Sequence, residues 1–167
     1  MGAEDHKSKA PKSVKIAVIT VSDTRTDKDD LSGNAIMDIA RQSGHETLKK
    51  VIVKDNPDDI QKALREMLED AGVQAIVMNG GTGVSTRDLT LEAVAPFEEK
   101  ILPGFGELFR MLSFEEIGSA AFMSRAVAFV TEGKAVFCIP GSEKAVRLAM
   151  TKLIAPELGH LVWEARR

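Results

Sequence analysis

The 167-residue chain contains one cysteine and no tyrosine, and aromatic residues make up only 5% of it. A single cysteine, Cys138, excludes an internal disulfide framework and a cysteine-based zinc cluster. The shortage of aromatic side chains argues against the stacking surfaces that bind single-stranded nucleic acid. The net charge of −3 argues against a basic nucleic-acid-binding face. No run approaches the roughly 18 apolar residues of a membrane-spanning helix.

Several catalytic motifs are also missing. The sequence has no Gly-x-Ser-x-Gly nucleophile turn and no Gly-Lys-Ser/Thr of a P-loop, and the segment from Gly81 lacks the last glycine of a dinucleotide fingerprint. The histidines, at positions 6, 45 and 160, have neither zinc-site nor triad spacing. The polar N-terminus has no apolar signal core, so we expect a cytoplasmic protein that binds neither nucleic acid nor a membrane.

The composition that remains is that of a globular domain, with 44% hydrophobic and 28% charged residues. We expect residues 1–13 to form a flexible arm and residues 14–167 to form a single domain. Apolar, β-branched runs predict strands at 14–21, 47–54, 75–78, 126–131 and 135–139. Apolar residues at helical spacing predict helices at 34–43, 57–71, 89–95, 105–117, 143–154 and 157–167.

Strands that alternate with helices at these lengths indicate an α/β fold with a mostly parallel sheet. Open folds of this kind bind ligands at the carboxyl ends of their strands, and polar turns follow four of the predicted strands. Those turns contain Ser22 and Asp23, then Asp55, then Gly80, Gly81, Thr82 and Gly83, and finally Pro140, Gly141 and Ser142. We therefore expect four separated segments to form one cleft.

The turn from Gly80 to Gly83 is the sharpest of these signals. Glycines allow positive φ and close backbone approach, so successive N–H groups can bind an anion such as phosphate. The alternative is a tight turn that requires glycine for its shape alone. Asp55 and Asp88 are candidate carboxylates for Mg²⁺ beside bound phosphates, although each could instead cap a helix.

Three further groups have two interpretations each. Ser124 and Arg125 offer a hydroxyl and a guanidinium that suit an anion, but the arginine could equally form a surface salt bridge. The acidic segment 27–30 predicts a solvated, mobile loop that could cover the cleft. Segment 103–107 predicts a rigid turn whose exposed Phe105 could form a ligand wall or a subunit contact, and Phe105, Phe109 and Met111 could supply an apolar subunit interface.

Eight segments together resemble the molybdenum cofactor biosynthesis protein B (MoaB) family, a close relative of the MogA molybdopterin adenylyltransferases. The matching segments are TVSDTR (20–25), DLSG (30–33), NGGTG (79–83), RDLT (87–90), PGFGELFR (103–110), IG (117–118), SRA (124–126) and IPGS (139–142). The similarity runs in order, with few gaps, from about residue 14 to the C-terminal helices. Such an ordered set is more specific than any one of its members.

The resemblance implies a three-layer α/β/α sandwich of the MogA-like molybdopterin-binding fold, assembled as a homotrimer or hexamer. It also implies binding of molybdopterin, a pterin with a dithiolene and a terminal phosphate. In active relatives that phosphate attacks the α-phosphorus of ATP in the presence of Mg²⁺. Asp55 and Asp88 match the two carboxylates of those enzymes. The pterin- and phosphate-binding turns match Gly80, Gly81, Thr82, Gly83, Ser124, Arg125, Pro140, Gly141 and Ser142.

Two functions are therefore expected as alternatives: molybdopterin adenylyltransferase, or a non-catalytic molybdopterin-binding or carrier protein. Attack of phosphate on phosphate requires backbone donors, a cation and metal-binding carboxylates, and needs no nucleophilic side chain. That requirement agrees with the absence of any catalytic triad. We also expect a separate protein of the pathway to carry out metal insertion.

Overall fold

The computed structural model describes residues 9–167, so residues 1–8 of the predicted arm lie outside the described residues. The strands are β1 (Lys15–Val21), β2 (Glu46–Val53), β3 (Ala75–Asn79), β4 (Lys100–Ile101), β5 (Val127–Thr131) and β6 (Lys134–Ile139). The α-helices are α1 (Leu31–Gln42), α2 (Pro57–Glu69), α3 (Thr90–Val94), α4 (Pro103–Ile117), α5 (Glu143–Ala149) and α6 (Ala155–Ala165).

The strands form one sheet in the order β2-β1-β3-β6-β5-β4. The first four of these run parallel to one another, while β5 and β4 are antiparallel to their neighbours. This confirms the predicted mostly parallel α/β sheet. Because β1, β2, β3 and β6 point the same way, the turns that follow them lie along one edge of the sheet.

Helices cover both faces of the sheet and bury its alternating side chains. On one face, β1 residues such as Ile16 and Val18 pack with α1, α4, α5 and α6. On the other face, Ala17 and Ile19 pack with α2 and α3. β1 is buried from Ile16 onward because consecutive residues contact different helical layers. The result is the predicted three-layer α/β/α sandwich.

The boundaries differ from the prediction where a side chain or a proline changes the local hydrogen bonds. Helix α1 begins at Leu31 rather than at residue 34, because the Asp30 carboxylate accepts a hydrogen bond from Gly33 N at 2.9 Å. The predicted helix 143–154 ends in a π-helical turn, Met150–Ile154, just before Pro156, which has no N–H to donate. The two-residue strand β4 was not predicted.

Lys134, at the start of β6, is buried and closes a distant helix. Its ammonium group donates to the carbonyl oxygens of Met67, Leu68 and Asp70, at 3.3, 2.6 and 2.6 Å. These carbonyls belong to the C-terminal end of α2, where no later residue of the helix can satisfy them. A lysine 64 residues further along the chain than Asp70 therefore provides the helix cap.

Candidate functional site

Two glycine-containing turns meet at the carboxyl edge of the sheet. Gly80 and Gly81 follow β3 with φ values of 98° and 64°, and a Cβ on Gly80 would collide with the Val21 carbonyl oxygen. Gly141 follows β6, and a Cβ added to it would lie 3.1 Å from Gly80 Cα. Glycine is therefore required at position 80 by its conformation and by the Val21 carbonyl, as the tight-turn interpretation predicts, and the two turns approach each other closely at Gly141.

A cavity of about 270 Å³ lies beside these turns. Its lining includes eight residues that the sequence predicted as site residues, namely Gly81, Thr82, Gly83, Asp88, Ser124, Pro140, Gly141 and Ser142. A larger groove of about 460 Å³ beside α4 and α6 is lined by Phe105 but by none of the predicted catalytic or phosphate-binding residues. The structure therefore brings two of the four predicted turns, those after β3 and β6, together at one cavity with Asp88 and Ser124, while Ser22, Asp23 and Asp55 are outside its lining.

The two candidate carboxylates flank the glycine turn. A Cβ added to Gly81 would lie 3.0 Å from Asp55 Oδ2, and one added to Gly83 would lie 2.7 Å from Asp88 Oδ2. Asp55 accepts a hydrogen bond from Leu89 N at 3.2 Å, and Asp88 accepts one from Ser85 N at 2.8 Å. The carboxylates of Asp55 and Asp88 therefore lie against the turn, one near Gly81 and one near Gly83.

The helix-cap alternative does not account for either carboxylate. The cap of α2 is Asn56, whose side chain accepts from Asp58 N and Asp59 N. Helix α3 has no side-chain cap, and the carboxylate of Asp88 closes its own turn instead. Asp55 and Asp88 thus remain available as oxygen ligands beside the glycine turn.

Negative charge accumulates around Asp55. Partial burial raises the pKa of this carboxyl above its ordinary value, and the nearby charges of Asp88, Asp23 and Glu92 raise it further, against the bond from Leu89 N. A cation at this position would be attracted by all of these groups. Within residues 9–167, however, no group of three or more His, Cys, Asp or Glu side chains is arranged to hold a metal. Substrate oxygens or water would have to complete any coordination shell.

Arg125 supports the glycine turn from outside the cavity. Its Nε donates to the Gly83 carbonyl oxygen at 2.8 Å and its Nη2 donates to the Asp88 carbonyl oxygen at 3.2 Å. Its guanidinium also forms an ion pair with Glu92. The hydrogen bond from Arg125 to the Glu92 carboxylate lowers the pKa of Glu92. The structure thus contains the predicted salt bridge of Arg125, and direct anion binding by Arg125 remains a prediction. Ser124 lines the cavity itself.

Ser22 and Asp23 lie beside Asp55 rather than in the cavity lining. Ser22 Oγ accepts a hydrogen bond from Arg25 N at 3.1 Å, which shapes the turn after β1. Asp23 Oδ1 accepts one from Asp55 N at 3.1 Å, and the Asp23 carbonyl oxygen accepts one from Lys54 Nζ at 2.7 Å. These contacts join the turns after β1 and β2, so Ser22 and Asp23 order the backbone that carries Asp55.

The prediction of a solvated loop at 27–30 is wrong for Asp30, which is fully buried. Its carboxylate accepts from Thr20 Oγ1 at 2.8 Å and from Gly33 N at 2.9 Å. It also lies 3.3 Å from Lys50 Nζ and 3.6 Å from Arg25 Nη1. A run of acidic residues is usually exposed, and only the tertiary partners of Asp30 distinguish it from its neighbours.

The Asp30 cluster contacts the turn after β6. Arg25 Nη2 and Ser32 Oγ both donate to the Gly141 carbonyl oxygen, at 2.9 and 2.6 Å. Sequence reasoning included Arg25 and Ser32 only within matching segments and gave them no role. They fix the position of a turn that lines the cavity.

Helix α4 supplies cavity residues that sequence reasoning also missed. Phe109, predicted for an apolar subunit interface, is 1% exposed and lines the cavity together with Ser113 and Ile117. Phe105 is half-buried against Phe137 and lines the groove beside α4 and α6, whereas Phe109 is too deeply buried to form a subunit contact. The signal that could have revealed this wall is the spacing of four between its members.

In residues 9–167, no helix has both the length and the apolar character needed to cross a bilayer.

The chain is similar to proteins of molybdenum cofactor biosynthesis. Residues 17–160 match the family described as "Probable molybdopterin binding domain". Molybdenum cofactor biosynthesis protein B of Bacillus subtilis (strain 168) is 51% identical over 168 residues, covering 100% of this chain and 99% of that protein. The protein of the same name from Escherichia coli (strain K12) is 43% identical and covers 86% of this chain and 85% of its own.

Solved structures agree with this similarity. A crystal structure of molybdenum cofactor biosynthesis protein B is 46% identical, with a TM-score of 0.91 over 95% of this chain and 99% of that one. The tungsten cofactor synthesizing protein MoaB from Pyrococcus furiosus is 36% identical, with a TM-score of 0.86 over 95% and 100% of the two chains. The cavity and its turns thus belong to a chain of the MoaB family of molybdenum cofactor biosynthesis proteins, which carries a molybdopterin-binding domain.

Proposed function

We propose that this chain catalyses adenylyl transfer from ATP to molybdopterin. The terminal phosphate oxygen of molybdopterin attacks the α-phosphorus of ATP and forms the new P–O bond. The bond between the α-phosphorus and its bridging oxygen breaks, and pyrophosphate leaves with the electron pair. The observation that supports this reaction is the placement of Asp55 and Asp88 against Gly81 and Gly83, beside the cavity. An ATP-consuming step of this kind is expected in the cytoplasm.

The residues of the site meet the main demand of this reaction, which is to bring several negative charges together. Backbone N–H groups of the turns at Gly81 and Gly141 bind phosphate oxygens. Asp55 and Asp88 would hold Mg²⁺, which when bound neutralises charge that develops on the phosphates. Two carboxylates suit this ion, because it usually keeps water and phosphate oxygens for its other positions. The negative charges of Asp88, Asp23 and Glu92, which add to the effect of burial in raising the pKa of Asp55, also favour a nearby cation.

One observation favours a second function, that of a molybdopterin-binding carrier without nucleotide chemistry. No lysine or arginine of the described chain lines the cavity, and Arg125 is already paired with Glu92. A triphosphate normally requires several positive partners, whereas a single phosphate can be held by backbone groups. In either function, a separate protein of the pathway would carry out metal insertion.

The test is to incubate the purified protein with molybdopterin, ATP and Mg²⁺ and to measure pyrophosphate and adenylylated product. We expect both products, and neither when molybdopterin is omitted. An active adenylyltransferase of the related MogA group serves as the positive control. If that control works and this chain gives no product, the enzymatic proposal fails. Calorimetry with molybdopterin alone then shows whether the carrier function survives.

We further propose that the chain acts as a homo-oligomer, a trimer or hexamer, through an exposed apolar face. This face is formed by α4 and the 3₁₀ turn after it, and it contains Leu108, Met111, Phe114, Phe122 and Met123. Phe114 and Phe122 are 61% and 78% exposed, which is unusual for side chains of this size. A matching face on further copies would remove these side chains from water.

The replacement Phe122→Glu is expected to shift the chain from oligomer to monomer, because a charge would be buried at the contact. Size-exclusion chromatography with light scattering measures the change. Leu48→Glu, an apolar-to-acidic change on the opposite edge strand β2, is the matched control and is expected to leave the mass unchanged. A wild-type chain that is monomeric at micromolar concentration would contradict the proposal.

A further inference from the structure

Helix α4 exposes several large apolar side chains and buries a polar one. Met111 and Phe114 point outward and are 55% and 61% exposed, while Ser113 is only 6% exposed. Ser113 lies four residues after Phe109 and four before Ile117, so the three side chains share one helical face. All three line the cavity of about 270 Å³. A hydroxyl therefore stands between two apolar residues in the cavity wall.

Within residues 9–167 the Ser113 hydroxyl has no hydrogen-bond partner, yet its oxygen is not among the buried side-chain atoms that lack one, which are Thr47 Oγ1 and Asn79 Oδ1. A serine inside a helix usually donates to the carbonyl oxygen four residues earlier, which here belongs to Phe109. The Ser113 oxygen is therefore accessible from the cavity that the residue lines, where water or a ligand can bond to it. Alanine at this position would have higher helix propensity and no hydroxyl to desolvate. Serine at this position therefore presents a hydroxyl to the cavity at the expense of helix propensity, which indicates a role toward a ligand.

The composition of the cavity suggests which part of a ligand meets this hydroxyl. The turns at Gly81 and Gly141 present backbone groups that suit an anion. The wall on the α4 side is apolar apart from Ser113, since it contains Phe109, Ile117 and Ala121. At about 270 Å³ the cavity is below the roughly 300–1,000 Å³ of sites that enclose a whole drug-sized ligand. It therefore has room for one flat ring system and its attached phosphate arm, with any nucleotide outside.

We propose that Ser113 is a substrate-binding residue whose hydroxyl hydrogen-bonds the polar edge of an uncharged, flat heterocycle held against the α4 wall. This inference rests on the proposed molybdopterin function, in which the heterocycle is the pterin ring. The phosphate of the same ligand lies at the glycine turns. Ser113 thus selects for the ring, and the glycine turns select for the anion.

The experiment compares Ser113→Ala with wild type by calorimetry, using isolated molybdopterin and, as a probe without a ring, inorganic pyrophosphate. We expect molybdopterin to bind about tenfold more weakly, since one neutral hydrogen bond in a desolvated site changes affinity by about this factor. Pyrophosphate affinity and the mass of the oligomer should not change. The Tm of Ser113→Ala should equal or exceed that of wild type, because alanine has the higher helix propensity and no bond within the chain is lost.

Ser119→Ala, which removes an exposed hydroxyl just beyond the same helix, is the matched control and should bind molybdopterin as wild type does. Equal molybdopterin affinity in wild type and Ser113→Ala would overturn this inference and leave the proposed function intact. An equal loss of affinity for molybdopterin and pyrophosphate would also overturn it, because the effect would then not concern the ring. Absence of molybdopterin binding by wild type would overturn the proposed function, and this inference with it.

Discussion

Replacing Asp88 with Asn is expected to reduce adenylyl transfer at least about a hundredfold, the loss typical when one electrostatic partner of a transition state is removed. The same replacement of Asp55 is expected to have an effect of similar size. Both carboxylates lie against the glycine turn, and an amide keeps their shape while removing the negative charge that would hold Mg²⁺. Product formation under saturating ATP measures the loss.

Asp59→Asn provides the matched control, because it makes the same chemical change at an exposed position in the first turn of α2. It should leave the rate unchanged within about twofold. Calorimetry should show that molybdopterin still binds to the Asp88→Asn and Asp55→Asn proteins, since backbone groups take the phosphate. Full activity in either variant would show that its carboxylate has no part in the reaction.

The same Asp55 replacement has a separate effect on stability, whose sign follows from its raised pKa. An acid with a higher pKa in the folded than in the unfolded state binds its proton more tightly when folded. Its ionisation therefore destabilises the fold once the pH exceeds the unfolded value near 3.8. In metal-free protein, Asp55→Asn should have a Tm equal to or above that of wild type at pH 7. This difference should disappear below pH 3.8.

Replacing Asp30 with Ala is expected to lower the free energy of unfolding by about 3–5 kcal/mol, the usual effect of removing one member of a buried ion pair. The carboxylate is fully buried and balances the charges of Arg25 and Lys50. Without it, Lys50 loses a buried counter-charge and Gly33 N at the start of α1 loses its acceptor. Urea denaturation at neutral pH measures the change.

Asp27 is the natural control, because it lies in the same acidic segment and also pairs with Lys50, at 3.6 Å, yet is 86% exposed. Asp27→Ala should change the free energy of unfolding by no more than about 0.5 kcal/mol. If Asp30→Ala and Asp27→Ala had equal free energies of unfolding, the buried contacts of Asp30 would contribute no more to stability than a surface ion pair. Asp30→Asn keeps the shape of the side chain and should fall between them.

Local patterns predicted those parts of the fold that depend on short stretches of chain. The buried runs of β1 and β3, Asn56-Pro57 at the start of α2, and the hairpin between β5 and β6 were all visible in the sequence. Since parallel strands align their carboxyl ends, the meeting of the turns at Gly81 and Gly141 also followed.

Contacts between distant residues explain what local patterns could not predict. A run of acidic residues predicts an exposed segment, whether or not one of its members is buried and paired. The burial of Asp30 depends on contacts with Thr20 and Lys50, which lie outside that run. Arg125 was interpreted as an anion ligand, but much of its guanidinium is used by backbone carbonyls of the site's own loop. The sequence did not show which residues of α4 line the cavity, because the helix carries apolar residues on its exposed side as well.

The three carbonyl oxygens that Lys134 holds at the end of α2 have a consequence for the order of folding. The last turn of that helix gains these three bonds only when the hairpin of β5 and β6 docks, because the hairpin brings the ammonium group. Local helix formation and long-range strand pairing are thereby joined in one cooperative unit. The final turn of α2 and the hairpin should therefore open together, with amide hydrogens that exchange at matched rates.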